Sequence, residues 1–442
     1  MKSIKKISLL TVAVSIVLLF NTGCDQDHTP KSSSHLSRFS PSQVTNTPEA
    51  CAIALSTLDH HNSDKDIIRW QQQARSSERP VPYLEKLGWA FVNRARASLD
   101  AGFYILAEQT AFCIDTKKPD SAEAMLLRGH VLHNLHEFKA AEALARSLVA
   151  KRGLWFDYGL LGDALMEQGK LAEALQAYQT MMDQRPGPQA YSRAAHLRWL
   201  KGDLDGAIEM MRKTAASFGS RHPQETAWAH VRLAYYLLQT GQITQAFGHI
   251  DAALAVMPEY APALLAQGRT LLAAGQSAKA ITTLKRAVQL NPSPEYQWTL
   301  IEALRAEQHL AEARQIEFQL IDRGALEDAR TLALYLATTE QDIPTALRLA
   351  KQELRSRRDV FTYDAIAWAF NADGRPLEAL NFCNRALAEG TQDARLLFHA
   401  GVIAADAGYH QNAVSHLKKA LTLQQMLLPS ERAQLHKAFA AL

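Results

Sequence analysis

The chain has 442 residues, 21% charged and 47% hydrophobic. That apolar fraction is ordinary for a folded protein and excludes wholesale disorder, while the length points to two or three domains or a repeat array. Formal net charge is +3, and Lys2, Lys5 and Lys6 are the only charged residues before Cys24, so the remainder is neutral. The basic footprint of a dedicated nucleic-acid binder is absent.

Residues 1–23 read as a signal peptide. Lys2, Lys5 and Lys6 form a basic region, Ile7 to Phe20 an uncharged apolar run of 14 residues, and Asn21-Thr22-Gly23-Cys24 follows. The run is short of the ~20 residues of a membrane span. Its ending resembles a bacterial lipobox, in which a small residue precedes a Cys that becomes lipidated and N-terminal; Asn21 departs from that pattern. The resemblance implies lipidation at Cys24 and a protein on the periplasmic side of the bacterial envelope. Asp25 after the Cys resembles an inner-membrane retention signal. Residues 24–47, rich in Ser, Thr, Pro, His and Gln, then form a flexible tether reaching on the order of 25–30 Å. Cys51, Cys113 and Cys383 are an odd number in apolar helical contexts, and buried structural thiols are expected.

Residues 48–87 are expected to form an N-terminal helical cap, with helices over 48–59 and 64–76. From there to residue 427 one unit repeats. Ala107, Ala141, Ala174, Ala207, Ala246, Ala280, Ala313, Ala346, Ala379 and Ala413 recur at steps of 34, 33, 33, 39, 34, 33, 33, 33 and 34 residues. Five residues before each stands Gly102, His136, Gly169, Gly202, Gly241, Gly275, Gln308, Gln341, Gly374 or Gly408. Glycine most easily takes the left-handed conformation that ends a helix, so each unit reads as helix, turn, helix. Leu264, Gly268 and Leu271 on the first helix, and Ala280, Leu284 and Ala287 on the second, step by three and four. Asn291-Pro292 stops the unit.

This pattern resembles the tetratricopeptide repeat: a period near 34, a small residue at the eighth position, Ala at the twentieth and often Pro at the thirty-second, as at Pro119, Pro186, Pro258 and Pro292. The resemblance covers about residues 88–427 and implies an all-α superhelical solenoid of about ten helix-turn-helix repeats. The units centred on Gln308 and Gln341 are degenerate, with Ile301 and Leu334 at the small position. The 39-residue step carries a polar insertion, residues 218–226, expected as a longer loop. Residues 428–442 read as a C-terminal capping helix.

Nucleotide-loop, zinc-protease, nucleophile-elbow and Cys-x-x-Cys motifs are missing, and repeats leave no room for a separate catalytic domain, so neither an enzyme nor a cofactor is expected. One cluster is sharper. His130 and His133 lie three apart on a first helix, Asp163 follows in the next repeat, and neutral imidazoles with a carboxylate are metal-ligand types. Solvated groove residues are the blander reading of the three.

The repeat register names groove residues. The ninth positions supply Arg96, His130, Asp163, His196, Tyr235, Arg269, Glu302, Tyr335 and Trp368; the fifth and twelfth add Trp298, His133, Trp199 and Arg305. Accessible aromatics and arginines are typical anchors of a protein or peptide ligand. Trp298, Tyr335 and Trp368 are expected to line one stretch of the wall, with Glu302 and Arg305 fixing ligand direction. The leading expectation is a membrane-tethered scaffold holding a peptide or protein in its concave groove. The alternatives are a metal-binding protein or enzyme built on His130, His133 and Asp163, and a structural lipoprotein of an envelope assembly.

Overall fold

The computed structural model describes residues 49–57, 64–98, 100–219 and 222–442. The signal segment, Cys24, Asp25 and the tether lie outside them. Every regular element among the described residues is helical. Two short helices, α1 (Ala50–Ala54) and α2 (Lys65–Ser76), precede the first pair, α3 (Val81–Ser98) and α4 (Gly102–Lys117). Four pairs follow: α5 (Ala122–Asn134) with α6 (Phe138–Lys151), α7 (Trp155–Glu167) with α8 (Leu171–Gln184), α9 (Pro188–Leu200) with α10 (Leu204–Ser217), and α11 (Pro223–Gln239) with α12 (Ile243–Val256). Then come α13 (Ala261–Ala273) with α14 (Ser277–Leu290), α15 (Pro294–Ala306) with α16 (Leu310–Glu327) and α17 (Ala329–Thr338) with α18 (Ile343–Ser356). The last pairs are α19 (Val360–Ala372) with α20 (Pro376–Leu387) and α21 (Ala394–Asp406) with α22 (His410–Thr422), followed by α23 (Pro429–Ala440).

Two sequence features build each pair. The turn residue takes positive φ at His136, Gly169, Gly202, Gly241, Gly275, Gln308, Gly374 and Gly408. The backbone N–H of the next residue then reaches a carbonyl of the first helix, as from Lys170 to Leu165 at 3.0 Å. Small residues let the axes close: a Cβ on Gly268 would stand 2.3 Å from Leu284 Cδ2. All ten alanines of the repeat are at most 1% exposed, so that position admits no charge. No helix among the described residues is long and apolar enough to cross a membrane.

Three expectations change. Cys51 and Cys113 are not free thiols: they form a disulfide that fastens α1 to α4, leaving Cys383 as a buried thiol. The insertion is not all loop, because residues 223–226 extend α11 by a turn, Pro223 opening it. The helix expected over 48–59 spans only Ala50–Ala54.

Candidate functional site: the inner wall

The first helices of successive pairs lie side by side and form the inner wall of the superhelix. The wall winds tightly enough for one turn to meet the next. Glu167 at the end of α7 pairs with Arg357 at 3.0 Å, and its carbonyl accepts the Arg358 N–H at 3.1 Å. One repeat on, Thr391 Oγ1 donates to the Leu200 carbonyl at 2.6 Å, Gln392 Nε2 to the Gly202 carbonyl at 3.2 Å, and Lys201 pairs with Glu389. Further along, Gln425 Nε2 donates to the Gln239 carbonyl at 2.7 Å. Turns on one edge of the helical ribbon thus seat on loops of the other edge, five to six repeats later. Gly169 and Gly202 permit the approach: a Cβ on either would stand 2.5 Å from a carbonyl oxygen across this seam, that of Arg358 or of Gly390.

In the C-terminal half the wall is covered by the chain itself. α23 does not merely cap the last repeat; it folds back across α15, α17 and α21, burying Leu428 and Leu435. The Ser430 N–H and hydroxyl donate to Glu302 at 2.9 and 2.8 Å, and Gln434 Nε2 donates to the Thr338 carbonyl at 3.3 Å. Arg395 binds Glu431 through two nitrogens at 2.5 and 3.1 Å and lies 4.8 Å over the Trp298 ring.

The expected aromatic row is therefore core rather than accessible wall. Trp298 is 2%, Tyr335 0% and Trp368 7% exposed. Trp298 meets Tyr335 edge-on at 5.5 Å, but Trp368 stacks on His399 at 4.0 Å instead of continuing the row. Glu302 and Arg305 are engaged internally, Arg305 with Glu317 at 2.9 Å, and burial raises the Glu302 carboxyl. Arg269 is half-buried and donates to the Met426 carbonyl at 2.9 Å and to Glu295.

The N-terminal half keeps more of its wall. Arg96, His133, Trp199 and Tyr235 are half-buried, while His130 and His196 are buried. Trp199 stacks 5.7 Å from Phe361 across the seam and donates through Nε1 to Gln239 at 2.7 Å. Asp163 is not a shared ligand with the histidines: Arg193 binds both its oxygens, at 2.8 and 2.5 Å, and the Tyr178 hydroxyl donates to it at 2.8 Å. Among the described residues no three His, Cys, Asp or Glu side chains form a group that could hold a metal ion. Burial lowers the imidazoles. His130 falls well below its ordinary value, with Arg96 and His133 adding to the effect, and His133 is pushed down to about 4. His196 falls in the same way, Arg232 contributing.

Sequence reasoning missed the ion pairs that line and close the wall: Arg193–Asp163, Arg357–Glu167, Arg330–Asp359 at 3.1 Å and Arg395–Glu431. Three of them carry a signal, since Arg193 follows Asp163 by 30 residues, Arg330 precedes Asp359 by 29 and Arg395 precedes Glu431 by 36, each about one repeat. Arg357 and Glu167 are 190 apart and carry none.

Three tetratricopeptide repeat family models match the chain, over residues 160–222, 237–307 and 394–425. A comparison with curated protein sequences returns no match. Among solved structures, the chain is similar to one in a crystal structure of the APC/C hetero-tetramer Cut9-Hcn1, at 12% identity and TM-score 0.32, covering 88% of this chain and 98% of that one. It is also similar to one in the human IFIT1 dimer with PPP-AAAA, at 15% identity and TM-score 0.42, covering 78% of this chain and 73% of that one. Both likenesses are too loose to align one site with another.

Proposed function

Because the chain is a tetratricopeptide repeat protein, we propose that it is a non-enzymatic protein–protein interaction scaffold, exported and tethered to a membrane through Cys24. One observation carries the scaffold reading: ten pairs from α3 to α22 stack without interruption, so the described residues beyond the short α1, α2 and α23 are a single repeated surface. The partner engages the inner wall of the N-terminal repeats, around Arg96, His133, Trp199 and Tyr235, where side chains keep solvent exposure. The C-terminal wall, under α23, is not offered to it.

Export is supported by the Cys51–Cys113 disulfide, which persists in an oxidising compartment such as the periplasm. The basic–apolar–Gly-Cys order of residues 2–24 supports the lipid anchor, and Asp25 the inner membrane. In-cell crosslinking and purification of the tethered chain tests the scaffold reading: a specific protein should be captured, with less recovered from an Arg96→Ala/Trp199→Ala double variant of native stability. Equal capture by both would move the partner surface elsewhere. Metabolic lipid labelling tests the anchor, and label persisting in Cys24→Ala would refute it.

A further inference from the structure

The inner wall of the first two repeats has an unbalanced set of polar atoms. Four other arginines that line or close the wall have carboxylates: Arg193 has Asp163, Arg357 has Glu167, Arg330 has Asp359 and Arg395 has Glu431; buried Arg232 on α11 has none among the described residues and reaches only the Tyr236 hydroxyl. Arg96 has none among the described residues, and its Nε and Nη1 are buried without a hydrogen-bond partner. Nε2 of His130 and Nε2 of His133 are in the same condition, and His130 is only 4% exposed. These groups are neighbours by register. Arg96 stands at the ninth position of α3, His130 at the ninth of the adjacent α5, and His133 one turn further along the same helix. Asp163, the carboxylate whose charge acts on His133, is already engaged by Arg193 and Tyr178. Trp89 closes one side, its ring 5.1 Å from that of His130.

Four buried nitrogens, one pair on a permanent cation, thus lack hydrogen-bond partners. A guanidinium there is costly unless an anion pairs with it. A metal ion would be repelled by that fixed positive charge. A planar guanidinium flanked by two imidazoles, each able to carry its single N–H on Nε2, suits an oxygen-bearing anion, whose charge strengthens every hydrogen bond that it accepts. Half-buried Arg96 and His133 give such a group a way in from solvent, with His130 at the floor.

We propose that Arg96, His130 and His133 form a binding site for an oxyanionic group, carboxylate or phosphate, on the inner wall of the first two repeats. The site goes beyond the scaffold reading and is testable without any protein partner. The full chain is unfolded thermally, and titrated calorimetrically, with inorganic phosphate, citrate or chloride at matched ionic strength. Phosphate, citrate or both should raise the midpoint above that in chloride. Phosphate alone would identify a phosphoryl ligand, and citrate alone a carboxylate one. Arg96→Gln should weaken anion affinity by about 10-fold or more, the value of a charged hydrogen bond. In chloride it should be no less stable than the parent, because two buried, unpartnered N–H groups have been removed. His133→Gln provides a second variant, also expected to weaken affinity, if the first folds poorly. No excess of phosphate or citrate over chloride in the parent, or an equal excess in both variants, would overturn the site.

Discussion

At its recurring alanine the second helix of each repeat presents only a methyl group. Ala280 is 0% exposed, and Leu284, one turn on, fills the space over Gly268. Ala280→Glu would force a carboxylate into that contact, and denaturant unfolding should register a loss of about 3 kcal/mol or more. His133 responds to pH rather than to size. The unfolded imidazole binds its proton near ~6.5, whereas the folded one resists until about 4. Protons therefore favour the unfolded chain as pH falls through that window. Arg96, Arg193 and Arg357 oppose protonation and Asp163 favours it. The parent should lose thermal stability relative to His133→Gln as pH is lowered from ~6.5 to 4; a constant difference between the two would contradict the burial. Residue identities at these sites were legible from the register, but their partners were not. Periodicity places Asp163 on the wall, yet nothing in spacing says that Arg193 will claim both its oxygens before a histidine can.

At the scale of elements, pairing within a repeat follows from local signals, and the helices fall where those signals put them. α23 is the exception. Its sequence reads as a terminal helix, and the wall that it covers is written more than 120 residues earlier, at Glu302. Long-range docking of that kind leaves no periodic trace, which is why Trp298 reads as open surface, while Trp368 is buried by neighbouring repeats, against Phe398, His399 and Thr338. The Arg395–Glu431 pair ties α23 down, with the Glu431 side chain fully buried. Glu431→Ala would take its only carboxylate among the described residues from half-buried Arg395 and leave the Leu428 N–H without its acceptor, and chemical unfolding should show a cost of ~3 kcal/mol. A loss below ~1 kcal/mol would mean that α23 rests only lightly on the wall. At the other end, reduction of Cys51–Cys113 should leave α3 to α22 folded while hydrogen exchange rises in α1, which is otherwise held to α4 by this bond.

Over the whole molecule, the seam changes how the repeats depend on one another. A simple solenoid is stabilised by nearest neighbours alone. Here α7 and α9 also depend on the loops at Arg358 and Thr391, so repeats far apart in sequence share contacts. Gly169→Val with Gly202→Val should part the turns, since each new side chain would meet a carbonyl across the seam. Small-angle scattering should then report a larger radius of gyration at unchanged helicity; an unchanged radius would show that the turns are held by other contacts. The same seam constrains ancestry. Open arrays can gain or lose a unit by recombination and keep every junction intact. In this chain, inserting or deleting one unit between Gly202 and Arg358 would shift both turns away from their loops by a full repeat, so the number of units between them is fixed by geometry rather than free to drift.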